Sequence, residues 1–306
     1  MVNKNISNCQ IIKTVAELCI TANIDPDPTI RTAIEQARQM ETSPLAQNAL
    51  DTIIENMSVA VAERMPMCQD TGMAVVFVDI GQDVRITGGS LTDAINEGVR
   101  RGYRDGYFRS SIVKDPIHRV NTGDNTPAII HYNIVEGDTL KITVMPKGFG
   151  SENKGAVKML NPSAGIDGVE AFVVEAVKNA GADPCPPIVV GVGVGGTMEK
   201  AALLAKEALL LTHDDSRNPT FGDASQLGEP ETEPETEPET SNRAFWREVE
   251  VRLLEKINAL NIGTAGLKGK TTALSLRILT YPTHIAGLPV AVNIGCHVAR
   301  HKSATL

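Results

Sequence analysis

Hydrophobic positions along this chain recur with two periods, and the switches between them mark out its elements. Residues 29–40 read as a helix after the punctuated turn DPDPT, and Ser43 followed by Pro44 gives a second helix an N-cap with proline at its first position. Beyond that cap Leu50, Ile53, Ile54, Met57 and Val61 recur at helical spacing, so one face is core and the helix should end near Met65 and Pro66. MAVVFVDIG then reads as a buried strand, because it is short, continuous and β-branched. Ser90 caps a further helix over LTDAINEGVRRGYRDG. The runs AIIHYNIV and LKITVMP flank EGDT and predict an antiparallel hairpin. A helix over residues 166–180, the turn ADPCPP, the strand IVVGVGV and a helix over residues 198–211 follow. A helix over residues 246–260 and the strands TALSLRILT and PVAVNIG close the pattern. The fold class predicted is mixed α/β (α+β), with a helical N-terminal region before a sheet-containing core.

Composition narrows this further. The 306 residues are 42% hydrophobic and 22% charged, enough for a buried core and incompatible with global disorder. No apolar run reaches the roughly 18 residues that span a bilayer, and the start MVNKNISNCQ has no basic stretch leading into a hydrophobic one. A soluble, cytoplasmic protein is expected, with no membrane partner. The net charge of −8 speaks against nucleic acid as a partner. Six glutamates from Glu229 to Glu239 lie in EPETEPETEPET, and without them the remainder carries only −2. Residues 213–242 are therefore expected to form a disordered acidic insert. The whole chain, 1–306, is read as one catalytic domain: a helical region 1–66, and a core 67–212 and 243–306.

Five cysteines, Cys9, Cys19, Cys68, Cys185 and Cys296, are too scattered for a disulfide framework. Cys68, Cys185 and Cys296 each stand in turn-like sequence beside a predicted strand, 117 and 111 residues apart. Only the fold can gather them, and a thiolate trio suits an iron–sulfur cluster or zinc. Cys9 and Cys19, in the N-terminal helical region, read as small buried hydrophobes. Asp70, two residues past Cys68, is placed for acid or base work near a metal, or simply caps the turn DTG. Gly191–Gly196 lacks the spacing of a dinucleotide-binding turn, so close packing of strand against helix is the better account. KGKTT lacks the upstream glycine of a phosphate loop.

Six segments carry a resemblance, in order along the chain: MCQDTGMAVVFVDIG, FRSSIV, NTGDNTPAIIHY, MPKGFGSENKG, CPPIVVGVGVGGT, and GLKGKTTAL with YPTHIAGLPVAVNIGCHVARH. Together they resemble the α subunit of two-subunit class I fumarate hydratases, an Fe–S hydro-lyase family whose members include L-tartrate dehydratase. The resemblance implies a [4Fe-4S] cluster held by Cys68, Cys185 and Cys296, with one iron left open to the substrate. It implies acid–base work for Asp70, a catalytic hydrogen bond or proton shuttle for His284, and substrate binding by Gln69, Arg109, Lys147, Gly148 and Gly150. Arginine's planar fork suits a carboxylate, and glycine lets backbone N–H groups approach one. Phe108 stands where the family usually has leucine, a tolerable exchange. His297 and His301 are expected as solvent-exposed loop residues, a second shell to the cluster being the other reading.

The activity implied is the reversible hydration of fumarate to (S)-malate, a tricarboxylic acid cycle step, with tartrate dehydration as the alternative. From another class, a non-catalytic Fe–S or zinc scaffold remains open. The chain ends shortly after its third cysteine motif, so the resemblance implies a separate β subunit and an (αβ)2 assembly.

Overall fold

The computed structural model describes residues 4–211 and 237–306. Its helices are α1 Asn8–Ile24, α2 Pro28–Met40, α3 Pro44–Glu63, α4 Leu91–Asp105, α5 Phe149–Glu152, α6 Gly165–Ala180, α7 Met198–Glu207 and α8 Glu237–Asn258. Its strands are β1 Lys4–Ser7, β2 Met73–Gly81, β3 Val84–Thr87, β4 Ile129–Val135, β5 Leu140–Lys147, β6 Ala156–Leu160, β7 Ile188–Gly195, β8 Ala273–Tyr281, β9 Leu288–Gly295 and β10 Lys302–Thr305. The mixed α/β class stands. No helix among the described residues is long and apolar enough to cross a membrane. The expected insert lies mostly outside the described residues, and α8 begins inside it, at Glu237, with Pro238 in the first turn where a missing N–H costs nothing.

The chain forms two compact units, one of Met1–Asp27, Glu55–Phe149 and Arg300–Leu306, the other of Pro28–Ile54 and Gly150–Ala299. In the first, a four-stranded sheet runs β10-β5-β2-β4, and β1 pairs with β3 in a small parallel ribbon. β2 is central because its continuous apolar run is buried on both faces. Its core joins Ala74, Val76 and Val78 to Ile142 and Val144 of β5, Ile11, Val15 and Leu18 of α1, and Ile95 and Val99 of α4. Each fully buried aliphatic side chain contributes roughly 1.5–3 kcal/mol. α1 starts on a reciprocal capping box, Ser7 with Gln10, and buries Ile11, Val15, Leu18, Cys19 and Ala22, one face of 3.6-residue period. Cys9 lies off that face and is exposed, contrary to the buried role expected of it, whereas Cys19 is buried and its thiol is pushed up to about 12 by burial.

The expected hairpin is not formed. β2 lies between its two arms, parallel to β4 and antiparallel to β5. The short connection between those strands instead passes over the end of β2, where Gly81 N–H donates to the Thr139 carbonyl (2.8 Å) and Asp83 N–H to that of Gly137 (3.0 Å). A Cβ on Gly81 would sit 2.3 Å from the Gly137 carbonyl oxygen, so glycine is required for the crossing. β4 lies at the sheet's edge and leaves Ile129, Tyr132 and Ile134 exposed, with none of its residues fully buried.

The second unit is built on a sheet ordered β6-β9-β7-β8. β7 is parallel to β8 and antiparallel to β9, and all of its residues are buried. α7 lies directly on β7: a Cβ on Gly191 would meet the Ala205 carbonyl at 2.1 Å, and one on Gly193 the Ala201 carbonyl at 2.0 Å. That contact is why the glycine repeat exists, as the strand-against-helix reading of GVGVGG required. α6 and α8 contribute Val173, Val177, Val249 and Leu253 to this unit's core.

Candidate functional site

In the first unit, strand register brings four chain segments to one end of the sheet. Met73 at the start of β2 pairs with Lys147 at the end of β5, Val75 pairs with Ile129 at the start of β4, and Lys302 at the start of β10 pairs with Val144. The Cys68 loop, the GFG turn, the NTGDNTP loop and Arg300 therefore meet there. Cys68 is half-buried, Gln69 is exposed and Asp70 is half-buried. The Asp70 carboxylate accepts from two backbone amides, Gly72 N–H at Oδ1 (3.0 Å) and Phe149 N–H at Oδ2 (2.9 Å). Gly148 runs so close that an added Cβ would be 3.2 Å from Oδ2. Lys147 is buried at the end of β5. Arg109 is exposed, and its carbonyl accepts from the Thr71 hydroxyl (3.2 Å), which ties FRSS to the Cys68 loop.

In the second unit Val189 of β7 pairs with Gly295 of β9, so the turn before β7 and the turn after β9 share an end of that sheet. These turns carry Cys185 and Cys296. Cys185 is exposed with φ at +57°, and its carbonyl accepts from His297 N–H (3.4 Å) with the His297 Nδ1 at 2.9 Å. The two cysteine turns are thus joined through His297. Burial pushes the His297 imidazole below its ordinary value, and the Cys185 carbonyl opposes that shift. His297 and His301 are both half-buried and not the exposed loop residues expected: His297 lies against the Cys185 carbonyl, and His301 directly precedes β10, which pairs with β5. Gly150 begins this unit's share of α5, its nearest outside neighbour being the Asp183 carbonyl of the Cys185 turn, and the ion pair Lys154–Asp183 (2.5 Å) links the same two segments.

His284 is elsewhere. It follows β8, which runs parallel to β7, so it stands at the opposite end of the sheet from Cys185 and Cys296. The eight residues of β7 put about 26 Å of strand between those ends. It is exposed, with Nδ1 accepting from Ala286 N–H (3.2 Å) in a local turn. The structure does not bring this histidine to the cysteine pair of its own unit.

The fumarate hydratase (Fumerase) family profile matches residues 12–305, nearly the whole chain. This chain belongs to the fumarate hydratase family. Among its curated relatives, a protein of Methanocaldococcus jannaschii provisionally named L(+)-tartrate dehydratase subunit alpha is 38% identical over 297 residues, covering 95% of each chain. The L(+)-tartrate dehydratase subunit alpha of Escherichia coli K12 is 31% identical over 277 residues, covering 89% of this chain and 82% of its own. A protein of the same name from the UTI89 strain matches to the same extent.

Membership of this hydro-lyase family implies an iron–sulfur group, and the donors present fit one. No cysteine forms a disulfide, and Cys68, Cys185 and Cys296 all stand at strand ends with at least partial exposure. Soft thiolates in that setting suit iron. Neither unit by itself gathers three His, Cys, Asp or Glu side chains into a metal-holding group among the described residues. Three side chains that hold this chain's Cys68 loop in place, Tyr103, Asn125 and Arg300, carry no signal of that role in the sequence, whereas the Phe149 amide lies in the glycine-rich turn that the sequence does mark. Asn125 and Arg300 lie inside the resembling segments NTGDNTPAIIHY and NIGCHVARH, but nothing in their spacing marks them as partners of a loop 53 and 230 residues away.

Proposed function

We propose that this chain is the cluster-bearing α subunit of a hydro-lyase acting on a four-carbon dicarboxylate, interconverting fumarate and (S)-malate. The observation that carries the reading is the Asp70 carboxylate, fixed by the Gly72 and Phe149 amides two residues from Cys68. Taking water from a 2-hydroxydicarboxylate needs a group that exchanges a proton, a cation to hold a carboxylate and room for the substrate's other end. Asp70 holds or gives up the proton at its carboxylate. Arg109, exposed on the same loop system, offers its fork to a carboxylate, with Gln69 beside Asp70 and Gly148 leaving backbone accessible. A [4Fe-4S] cluster held by Cys68, Cys185 and Cys296 supplies a Lewis acid when bound. Lys147, just before the GFG turn, and Gly150, its last residue, are further substrate-side groups, and His284 keeps its proposed role as a hydrogen-bond donor or proton shuttle.

L(+)-tartrate dehydration is a second reading, favoured by the names of the relatives. The two substrates differ by one hydroxyl, and a site built to hydrogen-bond a hydroxyl rejects the analogue lacking it by about 10⁴-fold or more. In either reading a β subunit completes the pocket in an (αβ)2 assembly; the subunit-alpha names of those relatives support the existence of such a partner and do not reach its stoichiometry.

The test is made anaerobically on iron-reconstituted chain combined with its proposed β subunit. Near four iron and four sulfide per α chain, lost in Cys185→Ser, with turnover of (S)-malate well above that of L(+)-tartrate, is the expected result. Dominant tartrate turnover would select the second reading. Zinc in place of iron, or no turnover of either, would sink the hydro-lyase assignment.

A further inference from the structure

The backbone of Asp70, Thr71 and Gly72 is held at three consecutive carbonyls by buried side chains from three different elements. An Arg300 guanidinium N–H donates to the Asp70 carbonyl at 2.5 Å. The Tyr103 hydroxyl lies 2.7 Å from the Thr71 carbonyl and 3.0 Å from that of Gly72, and the Asn125 amide donates to Gly72 at 3.1 Å. Arg300, Tyr103 and Asn125 are respectively 5%, 2% and 0% exposed. Any buried carbonyl asks for a donor, and Tyr103 and Asn125 meet that need with neutral groups. Asp70 alone is served by a cation. Burying a guanidinium is costly, and the Nε of Arg300 has no hydrogen-bond partner among the described residues, so carbonyl satisfaction is an insufficient reason for an arginine there. The same residue whose carbonyl Arg300 grips has its carboxylate held by the Gly72 and Phe149 amides. Asp70 is thus fixed at both its backbone and its side chain.

We propose that Arg300 is a positioning residue for the proposed reaction: it sets the Asp70 peptide, and so aims the carboxylate. This rests on Asp70 acting in the hydro-lyase reading above. The geometry also explains why an arginine is found just past the third cysteine motif, in a segment that closes the sheet as β10. A misplacement of about 1 Å costs on the order of 10²-fold in rate when a group must be aimed, so loosening this grip should act on turnover more than on binding.

The experiment has two readouts on the full chain. Hydrogen–deuterium exchange is measured for wild type, Arg300→Lys and Arg300→Gln; kcat and KM are then measured for the same variants in the cluster-loaded enzyme with its β subunit. In Arg300→Gln, amides from Cys68 to Met73 should exchange about tenfold faster while those of β5 keep their protection. Arg300→Lys should restore part of the protection, and kcat should fall at least tenfold with KM within about twofold. Unchanged exchange in the loop, or unchanged kcat despite faster exchange, overturns the proposal. So does loss of protection throughout β2 and β5 in both variants, since Arg300 would then be a packing residue. A wild-type enzyme that turns over neither substrate defeats the functional reading alone, because the exchange result stands without it.

Discussion

Asp124 shows how the loop beside Asp70 is itself braced. Its carboxylate meets Arg100 Nε at 2.8 Å and accepts from the Thr126 hydroxyl and amide. Burial pushes this carboxyl up, but Arg100 and Thr126 outweigh it and hold it down to about 2. Because the folded carboxyl stays ionised where an unfolded one protonates near 3.9, its contribution is complete above roughly pH 5 and is lost as pH falls from there toward 2. Asp124→Asn should therefore cost about 2 kcal/mol at pH 7, and the difference from wild type in urea denaturation should shrink as pH falls through about 2 and vanish only at about pH 1. A constant deficit at all pH values would show that the lost stability is not electrostatic. Other residues were legible to different degrees. Asp70 and the three cysteines could be picked out because their chemistry is local to a turn. Cys9 could not be placed correctly because its exposure depends on which face α1 turns to the sheet, and Arg300 could not because its partner is a backbone carbonyl far along the chain.

At the scale of elements, strongly periodic segments announced themselves: α2, α3, α4, α6, β2, β7, β8 and β9 fall close to where pattern and caps place them. The four-residue strands β1, β3 and β10 and the edge strand β6 did not, since so short a run is a strand only by virtue of its neighbour. The pairing of β4 and β5 was misjudged for a related reason. Two strand-like runs about a turn predict adjacency, but the more apolar β2 wins the central position because burial on both faces is worth more than the shorter connection. The glycines of β7 were read correctly as a packing surface, and that reading can be tested. Gly193→Ala would drive a methyl into the Ala201 carbonyl and force α7 away from the strand, so a loss of about 3 kcal/mol or more is expected in urea denaturation. A loss under 0.5 kcal/mol would mean that α7 rides on β7 less closely than described.

For the whole molecule, the proposed cluster ligands are divided between the compact units, Cys68 in one and Cys185 with Cys296 in the other. The reading with a separate β subunit predicts that the cluster-loaded α chain alone has less than about 1% of the rate of the mixture, because catalytic groups that act as a unit lose their effect when any are absent. Activity should rise with added β chain and level off at one β per α. Full turnover by the α chain alone would remove the β subunit from the account.

By itself, the sequence determined the mixed class, the long helices and buried strands and the residues able to do chemistry, because these follow from periodicity, capping and side-chain type within short windows, and it pointed to the family through the resemblance of six ordered segments. The tertiary structure alone decided that β2 separates β4 from β5, that His297 joins the two cysteine turns of its unit, that His284 lies at the far end of that sheet, and that Arg300 grips the Asp70 peptide. Each is a contact between residues distant along the chain, and such contacts are selected by the burial and hydrogen bonding of the complete fold, which no local pattern encodes.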